Sequence, residues 1–318
     1  MTTPGTAPSD STPEARIALP PLVSPQRLEV VSAWDADAPY QAWRPQILAP
    51  ATFRSAAPPR VYAVVNQKGG SGKTTTTVEL AAAWAAAGLR VRVVDADPQE
   101  AALSAWLRPV YPDGAEPRSL RSVFFDECTL AEATYPTQFA GVDIVPSGSD
   151  LARVEYERPI GAEQALADAV AQDAETAGDQ AYEVTLIDGA PSLGLVTVAA
   201  LTAADEAIVP LKVGGLDVMG MNSLHKTLRR VQRKTNPKLV VGAVLLTAWD
   251  RSGFARDLAA HVSGDYPEAA IVPIRRSIRA AEAPASGQPV RVYAPEANVV
   301  SDYDQAAGLL LAREGAVA

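Results

Sequence analysis

The segment VVNQKGGSGKTTTT, residues 64–77, has the residue types and spacing to hold a phosphate chain. Gly69, Gly70 and Gly72 let backbone N–H groups crowd around a polyphosphate without Cβ clashes. A helix starting near Lys73 aims its positive dipole end at the same anion. Lys73 then reaches the β- and γ-phosphates, and Thr74 places its hydroxyl on Mg²⁺. The usual G-x-x-x-x-G-K-[ST] pattern is broken at its first glycine, where Gln67 stands, and a second lysine, Lys68, comes just before the glycines. Further along, Asp95 and Asp97 close an apolar run two residues apart. In extended backbone both carboxylates point the same way, toward the sheet edge where nucleotides bind.

These groups need a frame. From Arg60 onward, strand-length apolar runs alternate with amphipathic or Ala-rich helical stretches. Strands are predicted over Val61–Asn66, Val91–Asp95, Val142–Pro146, Val184–Asp188, Ala207–Leu211, Leu239–Thr247 and Ala270–Pro273. Each is nearly continuous in Val, Ile and Leu, as parallel strands covered on both faces are. Helices are predicted over Lys73–Ala87, Ala162–Thr176, Leu193–Ala203, Met221–Lys234, Arg256–Val262 and Val299–Arg313. The alternation implies an α/β fold of P-loop type, a doubly wound, mostly parallel sheet flanked by helices, over residues 59–318. Residues 1–58 are rich in Pro, Ser, Thr and Ala and show no sustained period, which marks a largely irregular extension. Ile17, Leu19, Leu22, Val23, Leu28, Val30, Val31, Trp34 and Trp43 make it more apolar than a spacer needs, so a short docking segment is the competing reading.

Composition narrows the classes. Of 318 residues, 47% are hydrophobic and 20% charged, as in globular proteins, and no stretch is long and apolar enough to span a bilayer. The single cysteine, Cys128, forms no internal disulfide, and with His225 and His261 it makes no Cys/His zinc site. The chain reads as cytoplasmic, and its first residues lack the basic and apolar regions of a secretory signal. The net charge of −9 disfavours nucleic acid, but its distribution reverses that. Between His225 and Arg279, eleven Lys/Arg stand against four acids. Such a local excess is an electrostatic footprint on an otherwise acidic protein.

The form x-K-G-G-x-x-K-[ST] at Gln67 to Thr74 resembles the deviant Walker A box of the ParA/MinD group of ATPases. Three more segments resemble the same group in order: RVRVVDADPQEAALSAWL (90–107), YEVTLIDGAPSLG (182–194) and IRAAEAPASGQPV (278–290). Within the group the match favours ParA. The cluster cysteines of the nitrogenase iron protein are missing, and LLLAREGAVA does not resemble the basic membrane helix at the end of MinD. The resemblance implies ATP and Mg²⁺ as ligands and hydrolysis of ATP, with Lys68, Gly69, Gly70, Ser71, Gly72, Lys73, Thr74 and Thr75 as the nucleotide-binding loop. It makes Lys68 the signature lysine that crosses a dimer interface to the partner subunit's ATP, Asp97 the residue that activates water, and Asp188 the Walker B acid on Mg²⁺. Asp95 is implied to support the metal and the loop lysine, although a carboxylate there could simply cap the next helix. Pro191 and Gly194 shape the following switch, where Ala190 replaces the usual first proline. Thr247 and Pro273 mark where the family places the base. Arg251 and Arg279, with Arg276 and Arg275 beside them, sit where ParA proteins carry arginines for sequence-independent DNA binding.

By resemblance the protein is thus a DNA-partition ATPase. An ATP-dependent homodimer would bind double-stranded DNA non-specifically on the nucleoid and answer to a ParB-type centromere-binding partner. The alternatives are a ParA-like ATPase that positions a protein cargo, and a metabolic P-loop ligase or synthase with a small-molecule acceptor.

In the helix predicted over Met221–Lys234, Met221, Leu224, Leu228 and Val231 recur at helical spacing and are expected inside, leaving Lys226, Arg229, Arg230 and Arg233 outward.

Overall fold

The computed structural model describes residues 16–21, 59–98, 102–114, 116–148, 150–214 and 217–313. Eight strands form one sheet: β1 (Arg60–Val64), β2 (Val91–Ala96), β3 (Tyr135–Pro136), β4 (Val142–Val145), β5 (Val184–Gly189), β6 (Glu206–Lys212), β7 (Val240–Trp249) and β8 (Ala270–Arg275). Their order is β3-β4-β2-β5-β1-β6-β7-β8. Every pairing is parallel except that of β3 with β4 at the edge. All seven predicted strands are present. The two-residue β3 was missed because it is too short for any period to show.

Alternate residues feed opposite faces of the sheet. Ala63, Val94 and Ile187 pack on one side with α5 (Ala162–Ala177), α6 (Leu195–Ala203), α7 (Asp217–Lys234) and α8 (Gly253–Asp265). Tyr62, Val64 and Val93 pack on the other with α1 (Lys73–Ala86), α2 (Ala102–Leu107), α10 (Val290–Tyr293) and α11 (Asn298–Ala312). The short helices α3 (Leu120–Phe124), α4 (Arg153–Glu157) and α9 (Ile278–Ser286) complete the set. Neither they nor α2 and α10 were predicted: all are under three turns, and α9 carries Pro284 inside it. In α7, Leu224, Leu228 and Val231 are buried while Lys226, Arg229, Arg230 and Arg233 are exposed, as the spacing predicted.

Residues 16–21 take the docking alternative. Ile17 bridges to Phe139 in parallel, and Arg16 donates to the carbonyls of Phe139 and Val142 and to Asp143. Leu19 packs against the core, and Arg291 donates to the carbonyls of Pro20 and Pro21. Leu22, Val23, Leu28, Val30, Val31, Trp34 and Trp43 lie outside the described residues, as do Gln99 of the 90–107 segment and the side chain of Met221.

Candidate active site

The loop between β1 and α1 lies at the C-terminal edge of the sheet, beside the ends of β5 and β2. Gly70 and Gly72 have φ of +72° and +96°, a left-handed backbone that side chains resist. A Cβ on Gly69 or Gly70 would meet nothing within 4 Å, so these glycines answer to backbone conformation and to space for a ligand rather than to packing. The loop is braced from below. Asn66 donates to Pro210 O at 2.7 Å and accepts from Lys68 N at 3.0 Å, while Thr247 Oγ1 donates to Ser71 O at 2.9 Å. Lys73 is buried and reaches back to Lys68 O at 3.4 Å. The buried Ser71 hydroxyl has no hydrogen-bond partner among the described residues.

Two acids lie beneath this loop on neighbouring strands, for Asp95 and Asp188 are register partners across β2 and β5. Asp188 accepts from Thr77 Oγ1 at 3.1 Å and also bonds the Thr74 hydroxyl. Burial, then the charge of Asp95, pushes its carboxyl up to about 7, while those hydroxyls and Lys73 pull the other way. Asp95 is fully buried. Its Oδ2 accepts from Ser104 N at 2.8 Å and from Ser104 Oγ at 2.6 Å, and its Oδ1 accepts from Asp97 N at 3.3 Å. Burial raises it to about 6 against these bonds. Asp95 therefore does bind the next helix, at Ser104 in α2, while keeping its place beside Asp188. Asp97 is half-buried just past the end of β2.

The switch after β5 is held by a residue that the sequence did not flag. Glu155 in α4 accepts from Leu195 N at 2.9 Å and Val196 N at 3.2 Å, capping the N-terminus of α6. A Cβ on Gly194 would come within 2.4 Å of Glu155 Oε1, so this glycine is fixed by close approach. Pro191 is half-buried in the same turn. Thr77, Ser104, Ser147 and Glu155 all escaped sequence reasoning; for Thr77 the T-T-T-T run was the available signal, and the others have none locally.

The donor set fits a magnesium ion. Two buried carboxylates with hydroxyls beside them are the hard oxygen donors that Mg²⁺ takes. Among the described residues no group of three or more His, Cys, Asp or Glu stands together as a metal site, so the set offered is two carboxylates with hydroxyls.

The predicted arginines separate. Arg251, with φ +62°, and Arg276 are exposed just past the ends of the adjacent parallel strands β7 and β8, on the same sheet edge as the glycine loop. Arg279 in α9 is exposed and pairs with Glu282 at 2.9 Å. Arg275 is half-buried, and its guanidinium is turned onto α11, donating to Asp302 Oδ1 and Oδ2, to Asn298 O at 2.9 Å and to Ser301 Oγ at 3.1 Å. That set of bonds ties β8 to α11 and sets Arg275 apart from the exposed Arg251 and Arg276. Thr247 braces the loop from the late strands, and Pro273 lies within β8, half-buried and opposite Leu246. No helix among the described residues is long and apolar enough to cross a membrane.

A family model for the AAA domain matches residues 59–241. The chromosome partitioning protein ParA of Caulobacter vibrioides is 38% identical over 246 residues, 75% of this chain and 89% of that protein. The sporulation initiation inhibitor protein Soj of Bacillus subtilis is 32% identical over 256 residues, 77% and 95% of the two chains. Cobyrinic acid a,c-diamide synthase of Mycobacterium smegmatis, solved with an ATP analog and magnesium, superposes with a TM-score of 0.66 at 33% identity, covering 80% of this chain and 95% of that one.

Proposed function

The chain belongs to the ParA/MinD group of P-loop ATPases, built on an AAA domain, and from that premise we propose that it is a partition ATPase whose ATP-bound dimer grips DNA without regard to sequence. ATP and Mg²⁺ are its ligands. Magnesium, held by Thr74 and Asp188, would supply positive charge against the charge that develops in phosphoryl transfer. The chain does the rest. The backbone N–H groups of Gly69 to Lys73 surround the phosphates, and Lys73 holds its charge against them in a buried setting. Thr74 and Asp188 hold the metal, with Asp95 beside them. Asp97 orients the attacking water and takes its proton. Lys68, exposed at the loop's tip, reaches the partner subunit's nucleotide, so ATP joins two copies.

The observation that carries this reading is the buried pair Asp188 and Asp95 under a left-handed glycine loop, with exposed Arg251 and Arg276 on the same sheet edge. Placing cations beside the nucleotide edge lets the state of the nucleotide govern the surface that meets DNA. Dimerisation doubles that surface, and phosphate contacts of this kind weaken steeply with salt. A ParB-type partner, bound to its centromere, triggers hydrolysis and release. The nucleoid is then the site of action.

ATP turnover with and without DNA and partner, alongside Lys68→Ala and Asp97→Ala, tests the reading. Both variants are expected to lose stimulated turnover, and an unaltered rate in both refutes the catalytic roles. The similarity to a diamide synthase raises a second reading, a small-molecule ligase, which requires turnover indifferent to DNA. A cargo-positioning ATPase keeps the same chemistry and differs in its partner.

A further inference from the structure

Asp97 follows the last residue of β2, and its place depends on what ties the chain down there. Four residues form a closed ring of hydrogen bonds around it. Asp97 N donates to Asp95 Oδ1 at 3.3 Å. Asp95 Oδ2 accepts from Ser104 Oγ at 2.6 Å. Ser104 Oγ in turn accepts from Ser147 N at 3.0 Å. Ser147 Oγ closes the ring by donating to Asp97 O at 2.9 Å. Each hydroxyl donates once, so every bond in the circuit is satisfied together. The ring grips the Asp97 backbone on both its N–H and C=O sides. Its members come from β2, from α2 and from the segment after β4, the strand that pairs with β2.

We infer that Ser147 is a positioning residue for hydrolysis, whose hydroxyl holds the Asp97 backbone at the mouth of the nucleotide site. The inference rests on the role given to Asp97 above. Ser147 acts through Asp97 and not on substrate. Water-activating groups must sit within about 0.5 Å of their working position, and a displacement of about 1 Å costs roughly 100-fold in rate. In the ring, the Ser147 hydroxyl is what ties Asp97 O to the segment after β4.

The test compares full-length protein with Ser147→Ala for turnover number and for affinity toward a non-hydrolysable ATP analogue with Mg²⁺. Expected is a fall in kcat of about tenfold with analogue affinity within about twofold of the parent. On an Asp97→Ala background, Ser147→Ala is expected to add nothing, since its effect passes through Asp97. The shape-matched pair Ser147→Thr and Ser147→Val repeats the comparison with packing held constant: Thr keeps the donor and is expected to stay near the parent rate, while Val falls as Ala does. Unchanged kcat in Ser147→Ala, equal rates for Thr and Val, a parallel loss of analogue affinity, or an effect that persists at full size without Asp97 overturns the inference. If Asp97→Ala alone leaves turnover intact, the role given to Asp97 fails instead, and the inference falls with it for that separate reason.

Discussion

On one face of α1, Asp188 takes a hydrogen bond from the Thr77 hydroxyl and lies beside Asp95; on another, Glu79 accepts from Val290 N at 2.6 Å, and Asp304 pairs directly with the Arg291 guanidinium. Thr77 and Glu79 are two residues apart on one helix and so look in different directions. All these acids are buried. Burial raises Asp188 and Glu79 alike to about 7. The difference lies in the remedy. The second group is neutralised from within, by Arg291, and is closed over by the carbonyls of Pro20 and Pro21. The first is held by hydroxyls, drawn least by Lys73, and crowded by a second carboxylate, an arrangement that a bound cation relieves. One cluster therefore makes fold, and the other keeps free energy in reserve for a ligand.

Asp188→Asn breaks the first side. ATP turnover is expected to fall by about 100-fold or more, while the melting temperature without nucleotide holds or rises, because a costly buried charge is gone. Turnover and thermal melting on the same preparation check both halves. Arg291→Met breaks the second side in the opposite sense. It strands Asp304, which costs about 3–5 kcal/mol of stability. Turnover well below the new melting point is expected to stay near the parent rate. Adding Asp304→Leu is expected to restore most of the melting temperature, as apolar replacement of a buried pair does.

A pH series sharpens the comparison further. Asp95, Asp188 and Glu79 are held at about 6, 7 and 7, all above their unfolded values near 4. Each therefore binds its proton more tightly when folded, and its stabilisation is complete below about pH 4 and is lost as pH rises through 6 to 7. The melting temperature of the nucleotide-free protein is expected to decline across that interval, and Asp188→Asn to flatten part of the slope. Stabilisation by Mg²⁺ with an ATP analogue is expected to grow over the same interval, since the metal needs the ionised carboxylate. The smallest effect is expected from the N-terminal strap. Removing residues 1–21 takes away the Arg16 bonds and the Pro20 and Pro21 carbonyls, for about 1–2 kcal/mol.

What the sequence made legible was what chemistry writes locally. The glycine loop, the apolar runs of the parallel strands and the inward stripe of α7 each carry their own pattern. Contacts between distant segments do not. Glu155 caps a helix 40 residues away, and Ser147 reaches Asp97 across 50, with no spacing rule to announce either. Arg275 and Arg276 look equivalent as neighbouring cations, yet the first ends β8 and turns to Asp302 while the second, past the strand, is exposed. Thr247, near the end of β7, gives its hydroxyl to Ser71 O, a contact between segments 176 residues apart that no local spacing announces.

The central claim, that ATP held at the Asp188 edge governs affinity for DNA at the same edge, is tested most directly by titrating the protein onto a duplex of arbitrary sequence with ATP and then with ADP, across a salt series. Tight, salt-sensitive binding is expected with ATP and not with ADP, weakened by Arg251→Ala with Arg276→Ala. Equal binding with either nucleotide, or none with ATP at moderate salt, contradicts it.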